Sequence, residues 1–166
     1  MGETPEDDPF GPILAAQADF VDKLTELEAT LDEMMGTREV SDGNFIIFTE
    51  SLRFFTEELE PLLRMEDETV LPPLEAAIGR YGTLVNVIAY EHDEIRRGIG
   101  KFGAALNDLR KQPSSWGAIQ ELNRHGIFLV QFLWDHFRKE RVSLFVVARE
   151  RLSAADLRAI RERVPH

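Results

Sequence analysis

The chain has 166 residues, of which 43% are apolar and 30% charged, the size and make-up of one globular domain that needs no disulfide or structural metal to close its core. Nineteen Lys and Arg against 30 Asp and Glu leave a formal charge of −11, and no stretch concentrates the basic residues, which argues against nucleic acid or an anionic membrane as a partner. The absence of cysteine excludes thiolate metal sites, iron–sulfur clusters, disulfides and cysteine nucleophiles together, so any metal must be held by nitrogen and oxygen.

Residues 1–11 (MGETPEDDPFG) are rich in proline and acid and are expected to be a solvated tail, with one domain over residues 12–166. This start lacks the basic and apolar regions of a signal peptide, and the longest apolar runs are only four or five residues (45–48 and 144–148). A cytoplasmic protein with no membrane span is the expectation. Turn-forming residues then punctuate the chain at Gly36 to Gly43, Pro72-Pro73, Gly79 to Gly82, Gln112 to Gly117 and Arg151 to Ser153, leaving four long segments and a short fifth. Asp42 or Asn44, Thr83, Ser114 or Ser115, and Ser153 are the candidate N-caps.

In the first segment Ile13, Phe20, Leu24, Leu27, Leu31 and Met34 recur at steps of three and four; in the second Phe45, Phe48, Leu52, Phe55, Leu59 and Leu62 do so. The third carries Tyr81, Val85, Ile88, Ile95, Ile99, Phe102, Leu106 and Leu109, and the fourth Ile119, Leu122, Leu129, Leu133 and Val147. Only helices give this spacing. An all-α, up-down-up-down antiparallel four-helix bundle is predicted, with a short fifth helix over residues 153–163 across one end. Pro61 should kink the second helix locally.

Polar residues interrupt these stripes at few places: Gln17 on the first helix, Glu66 on the second, His92 on the third, His136 and Glu140 on the fourth. Gly126 and Ser143 also take stripe positions and read as close packing. With alternate helices running in opposite directions, the five polar residues fall near one end and face one axis. Two carboxylates in an apolar interior repel each other and lose hydration, so they require a counter-charge, a shared proton or a metal. No Lys or Arg lies on the stripes; Arg96 and Arg138 flank them, which leaves an ion-pair network as one alternative. The other is a cation, which also uses both imidazoles, since His136 and Glu140 project from one helix face about 6 Å apart along its axis. A mixed nitrogen and oxygen set suits iron, manganese or zinc, whereas calcium and magnesium favour oxygen alone. His125, some 16 Å along the helix from His136 at about 1.5 Å per residue, is assigned to the rim; Glu58 is assigned to an acidic, solvated face, and His166 to the chain end.

Three stretches, LRFFTEELEPLLRMEDETVLPPLE (52–75), EHDEIRRGI (91–99) and FLWDHFRKERVSLFVVARERLSAADL (132–157), resemble the hemerythrin-like HHE cation-binding domains. The resemblance implies a four-helix bundle around a non-haem, usually di-iron centre, with histidines from all four helices and His-x-x-x-Glu pairs on the second and fourth. It implies metal ligation by Glu66, His92, His136 and Glu140. The chain departs from the pattern at Gln17 and Leu62, where the family has histidines that serve one of the two irons. The resemblance therefore implies half a site: one non-haem iron, or zinc or manganese, for metal, oxygen or redox sensing or storage, with O2 or peroxide as added ligands. No substrate is named by any residue here, and no glycine-rich phosphate loop or nucleophile elbow is present. A degenerate, metal-free bundle serving as an interaction or structural module is the alternative, with Glu66 and Glu140 partly protonated or paired to Arg96 or Arg138.

Overall fold

A computed structural model describes residues 8–164. Helix α1 is Gly11–Thr37, α2 spans residues 42–78, α3 is Leu84–Lys111, α4 spans residues 116–151, and α5 is Ala154–Arg163. The connections are short, and cross-helix contacts join early to late positions throughout. Glu33 near the end of α1 meets Asn44 near the start of α2, Arg110 at the end of α3 meets Thr49 near the start of α2, and Glu91 near the start of α3 meets Lys139 of α4. Neighbouring helices therefore run antiparallel, and the fold is the predicted four-helix bundle closed by a short fifth helix. Among the described residues no helix is long and apolar enough to cross a membrane.

The stripes bury as expected, from Ile13 to Met34 on α1 and from Val85 to Leu109 on α3. Gly126 lets α4 approach α1 closely, because a Cβ there would stand 2.6 Å from Leu31 Cδ1. Four details differ from the sequence expectation. Tyr81 is 89% exposed and lies in the turn before α3, not on its stripe. The N-cap of α2 is Ser41, whose side chain accepts from Asn44 N–H while the Asn44 side chain accepts from Ser41 N–H. Thr83 takes the expected N-cap position of α3 with extended backbone but turns its hydroxyl back to donate to the Gly79 and Arg80 carbonyls, whereas the side chains of Ser115 and Ser153 do cap α4 and α5. Residues 1–7 of the expected tail lie outside the described residues, and the tail does not extend to Asp8 and Phe10. Phe10 is fully buried and stacked on Phe145 at 4.6 Å, and Asp8 receives two hydrogen bonds from Arg149.

The prolines of α2 are absorbed, not obeyed as breaks. A proline inside a helix lacks an N–H and crowds the carbonyl four residues back. Before Pro61 the chain opens into a π turn, Phe55–Leu59, with Glu60 N–H donating to the Phe55 carbonyl; before Pro72-Pro73 it opens again at Glu66–Val70, with Leu71 N–H donating to the Glu66 carbonyl. Helical structure thus continues over residues 42–78, with a π turn just ahead of each proline. A third π turn, Glu140–Leu144, has no proline in or just after it and begins on a site residue. Each such turn holds one extra residue, rotating the downstream side chains by about 100°. The α4 stripe accordingly moves off Ser143 and Val147, which are only half-buried, and onto Leu144, Phe145 and Ala148, which are fully buried.

Candidate metal centre

Glu66, His92, His136 and Glu140 are all completely buried, and three of the four converge. His136 Nε2 lies 3.3 Å from Glu140 Oε1 and His92 Nε2 lies 3.9 Å from Glu140 Oε2. The imidazoles meet edge to face with centroids 5.0 Å apart. One ligating atom from each of His92, His136 and Glu140 falls within 4.8 Å of the others, a grouping that does not include Glu66. Gln17, also buried, donates from Nε2 to Glu140 Oε1 at 2.9 Å. Leu62 stands one turn before Glu66 with its side chain buried.

The outer nitrogen of each histidine is fixed by a carboxylate that the periodicity of the stripes does not single out. His92 Nδ1 is 2.7 Å from Asp67 Oδ1, and His136 Nδ1 is 2.9 Å from Glu91 Oε1. Each carboxylate is held in turn by a cation: Arg96 Nη2 donates to Asp67 Oδ2 at 2.6 Å, and Lys139 Nζ donates to Glu91 Oε2 at 2.7 Å. A carboxylate accepts, so both imidazoles carry their proton on Nδ1 and turn Nε2 inward. The signal for these partners was present in sequence. Asp67 and Glu91 each adjoin an expected ligand, one step around the helix toward the neighbouring rod.

Arg96 also donates to Glu60, and Arg138 to Asp135 on its own helix, so the flanking arginines engage outer carboxylates. His125 sits 3.3 Å from Glu121 at the rim, and Glu58 is half-exposed and paired with Lys23 at 2.8 Å. His166 lies outside the described residues.

Electrostatically the layer is divided. Burial, then repulsion from Glu140, pushes the Glu66 carboxyl well above the usual carboxylate range. Burial also works against the Glu140 carboxylate, but the His136 imidazolium and hydrogen bonds from its neighbours hold it well below that range. Burial disfavours charge on His136 as well, yet Glu140 and Glu91 push its pKa up to about 9. Burial opposes the carboxylates of Asp67 and Glu91 too, but hydrogen bonds from His92 and Arg96, and from His136 and Lys139, hold both below the ordinary range. Against its burial, carboxylates raise the His92 pKa as well, so in the metal-free layer the shifts favour the proton on Glu66 and on the imidazoles and balance the charge of Glu140.

That balance leaves hydrogen-bonding capacity unused. Both Glu66 oxygens, Glu140 Oε2, and the Nε2 atoms of His92 and His136 are buried without a hydrogen-bond partner. Buried polar atoms are rarely left so, and these are the atoms a metal ion takes. The donor separations of 3.3 and 3.9 Å match the roughly 3–4 Å expected between ligands that share one ion at bonds of about 2.0–2.2 Å. The residues present therefore fit a metal.

A family model, the hemerythrin HHE cation-binding domain, matches residues 13–148. The chain belongs to the hemerythrin HHE cation-binding domain family. Comparison with curated proteins returns no significant match. As a hemerythrin-like domain the chain is a metal-binding fold with a buried His and Glu candidate site. On the α1 side of that site Gln17 donates to the candidate ligand Glu140, and on the α2 side Leu62, one turn before Glu66, is buried and offers no donor.

Proposed function

We propose that this hemerythrin-like domain holds a single non-haem metal ion, iron in first place and zinc or manganese as substitutes, between Glu66, His92, His136 and Glu140. Its service is metal, oxygen or redox sensing or storage, in a cytoplasmic setting. The observation that carries the reading is the cluster of buried, unpartnered donors, two imidazole Nε2 atoms and carboxylate oxygens, behind Nδ1 atoms already anchored by Asp67 and Glu91. Metal-binding histidines commonly show this outer bond, which fixes the tautomer and raises the basicity of the ligating nitrogen.

The donor set of two nitrogens and carboxylate oxygens suits iron, manganese or zinc. Iron in that position would supply a redox-active Lewis acid open to O2 or peroxide as added ligands. The chain's own part is to present two neutral imidazoles, to keep Glu140 ionised, and to exclude bulk water with Phe20, Phe137 and Leu62 around the layer. A single ion is supported by Gln17 and Leu62, which remove the two imidazoles a second ion would use. Of the two charge solutions open to the metal-free alternative, pairing to Arg96 or Arg138 finds both arginines engaged by Asp67, Glu60 and Asp135, whereas protonation of Glu66 agrees with its raised pKa.

Metal analysis of protein purified under reducing, anaerobic conditions tests the proposal. Near one equivalent of iron or zinc is expected, and added Fe²⁺ or Zn²⁺ should raise the melting temperature by mass action. No co-purifying metal, together with a melt indifferent to either ion, would establish the degenerate reading.

A further inference from the structure

A cavity of about 480 Å³ opens between α1 and α2 at the site end of the bundle. Its mouth carries Asp19, Asp22, Glu57 and Glu58 with Lys23, and all of these side chains are exposed. Lys23 is tied to Glu58 at 2.8 Å and Glu57 to Arg53 at 3.2 Å, so the mouth keeps a net negative charge. Its inner wall is apolar, formed by Ala16, Phe20, Leu62 and Val164. Behind that wall stands the candidate site. Ala16 adjoins Gln17, which is bonded to Glu140, and Leu62 precedes Glu66 by one helical turn on the same face. Val164 directly follows α5, the helix whose Arg163 is paired with Glu68 on the π turn that begins at Glu66.

The second observation is Glu66 itself. It is fully buried, neither of its oxygens has a hydrogen-bond partner, and it is not one of the three tightly grouped donors. Its carboxyl lies against that of Glu140, close enough for the two to interact, and stands one helical turn beyond Leu62 of the cavity wall, a position from which it can pass a cation on to the centre. A cleft of one charge sign with low-dielectric walls raises the local concentration of ions of opposite sign, and the gain appears in the association rate.

We infer that the acidic cavity between α1 and α2 is the entry route for the divalent cation, with Leu62 as its inner gate and Glu66 as the first buried oxygen the ion meets. The inference rests on the metal reading above and deepens it, since it assigns a role to the side of the domain where the family's histidines are replaced. Leucine at position 62 then has a use that histidine would lack: it separates solvent from the centre without binding the ion in transit.

The test is stopped-flow loading of the metal-free protein with Co²⁺, followed by its visible absorption, after an equilibrium Co²⁺ titration of each variant. In wild type the loading rate should fall as salt is raised. The triple variant Asp19→Asn/Asp22→Asn/Glu57→Gln should load about tenfold or more slowly at low salt, at the lower end of steering effects, with equilibrium affinity changed less than about threefold because no ligand is touched. A control triple at the far end of the bundle, Asp32→Asn/Glu39→Gln/Asp108→Asn, removes the same net charge and should load like wild type. Leu62→Ala should load faster than wild type and Leu62→Phe more slowly. Equal rates in the two triple variants, or rates indifferent to residue 62, overturn the route while leaving the metal site standing. No Co²⁺ bound at equilibrium by the wild-type protein overturns the site reading, and the route with it.

Discussion

Replacing Glu66 by leucine should move the stability of the metal-free and metal-loaded protein in opposite directions. In the metal-free protein Glu66 is wholly buried with two unpartnered oxygens, and an unsatisfied buried polar group costs about 1–3 kcal/mol. Leucine fills a similar volume with apolar atoms, so Glu66→Leu should stabilise the metal-free form by about that amount. For a domain of this size 1 kcal/mol corresponds to about 2–4 °C, giving a rise of about 2–12 °C. Metal acts the other way. At a free concentration of about 100 times Kd an ion adds about 2.7 kcal/mol, so wild type should gain about 5–11 °C on loading. If losing this carboxylate weakens binding tenfold, the same metal concentration gives RT ln 11, about 1.4 kcal/mol, and the metal-induced shift is halved. Differential scanning calorimetry of both proteins, with a chelator and with excess Zn²⁺, reads all four melts. A metal-free Glu66→Leu protein that melts below wild type would refute the account of Glu66 as a destabilised buried acid. A full metal-induced shift in the variant would remove Glu66 from the ligand set.

Three further outcomes are expected from the same geometry. Asp67→Ala and Glu91→Ala leave every proposed ligand in place but release His92 and His136 from their outer bonds, so Zn²⁺ affinity should fall about 10–100-fold in a competition titration; unchanged affinity would make these carboxylates merely structural. In the metal-free protein the His136 pKa is raised to about 9 from an ordinary 6.5, so its contribution is complete below about pH 6.5 and lost as pH rises through 9. Chemical denaturation between pH 6.5 and 9.5 should show stability falling by something on the order of 3 kcal/mol, and a flat profile would place the proton elsewhere. Loading reverses that trend, because metal competes with protons for the imidazoles and binds more tightly at higher pH. Finally, Gln17→His/Leu62→His should raise bound iron from one equivalent toward two by metal analysis, while Gln17→His alone should not.

Helix number, helix order and the buried faces were legible in the sequence, because an amphipathic helix writes its contact face into residues three and four apart. The four ligand-type residues were legible for the same reason, as polar breaks in stripes such as Leu133, His136 and Glu140. Their common depth followed from antiparallel order alone. Local periodicity carries no information on how far one rod is rotated against the next. That rotation brings Asp67 onto His92 and Glu91 onto His136, and leaves Glu66 outside the tight group of three. The π turns are likewise tertiary choices. Pro61 and Pro72 announce a disturbance but not its form, and the turn at Glu140 has no local cause. By adding a residue it exchanged Ser143 and Val147 for Leu144, Phe145 and Ala148 in the core. Phe10 shows the converse. Its acidic, proline-rich context reads as solvated, and only the facing ring of Phe145 and the guanidinium of Arg149 give it a reason to be buried.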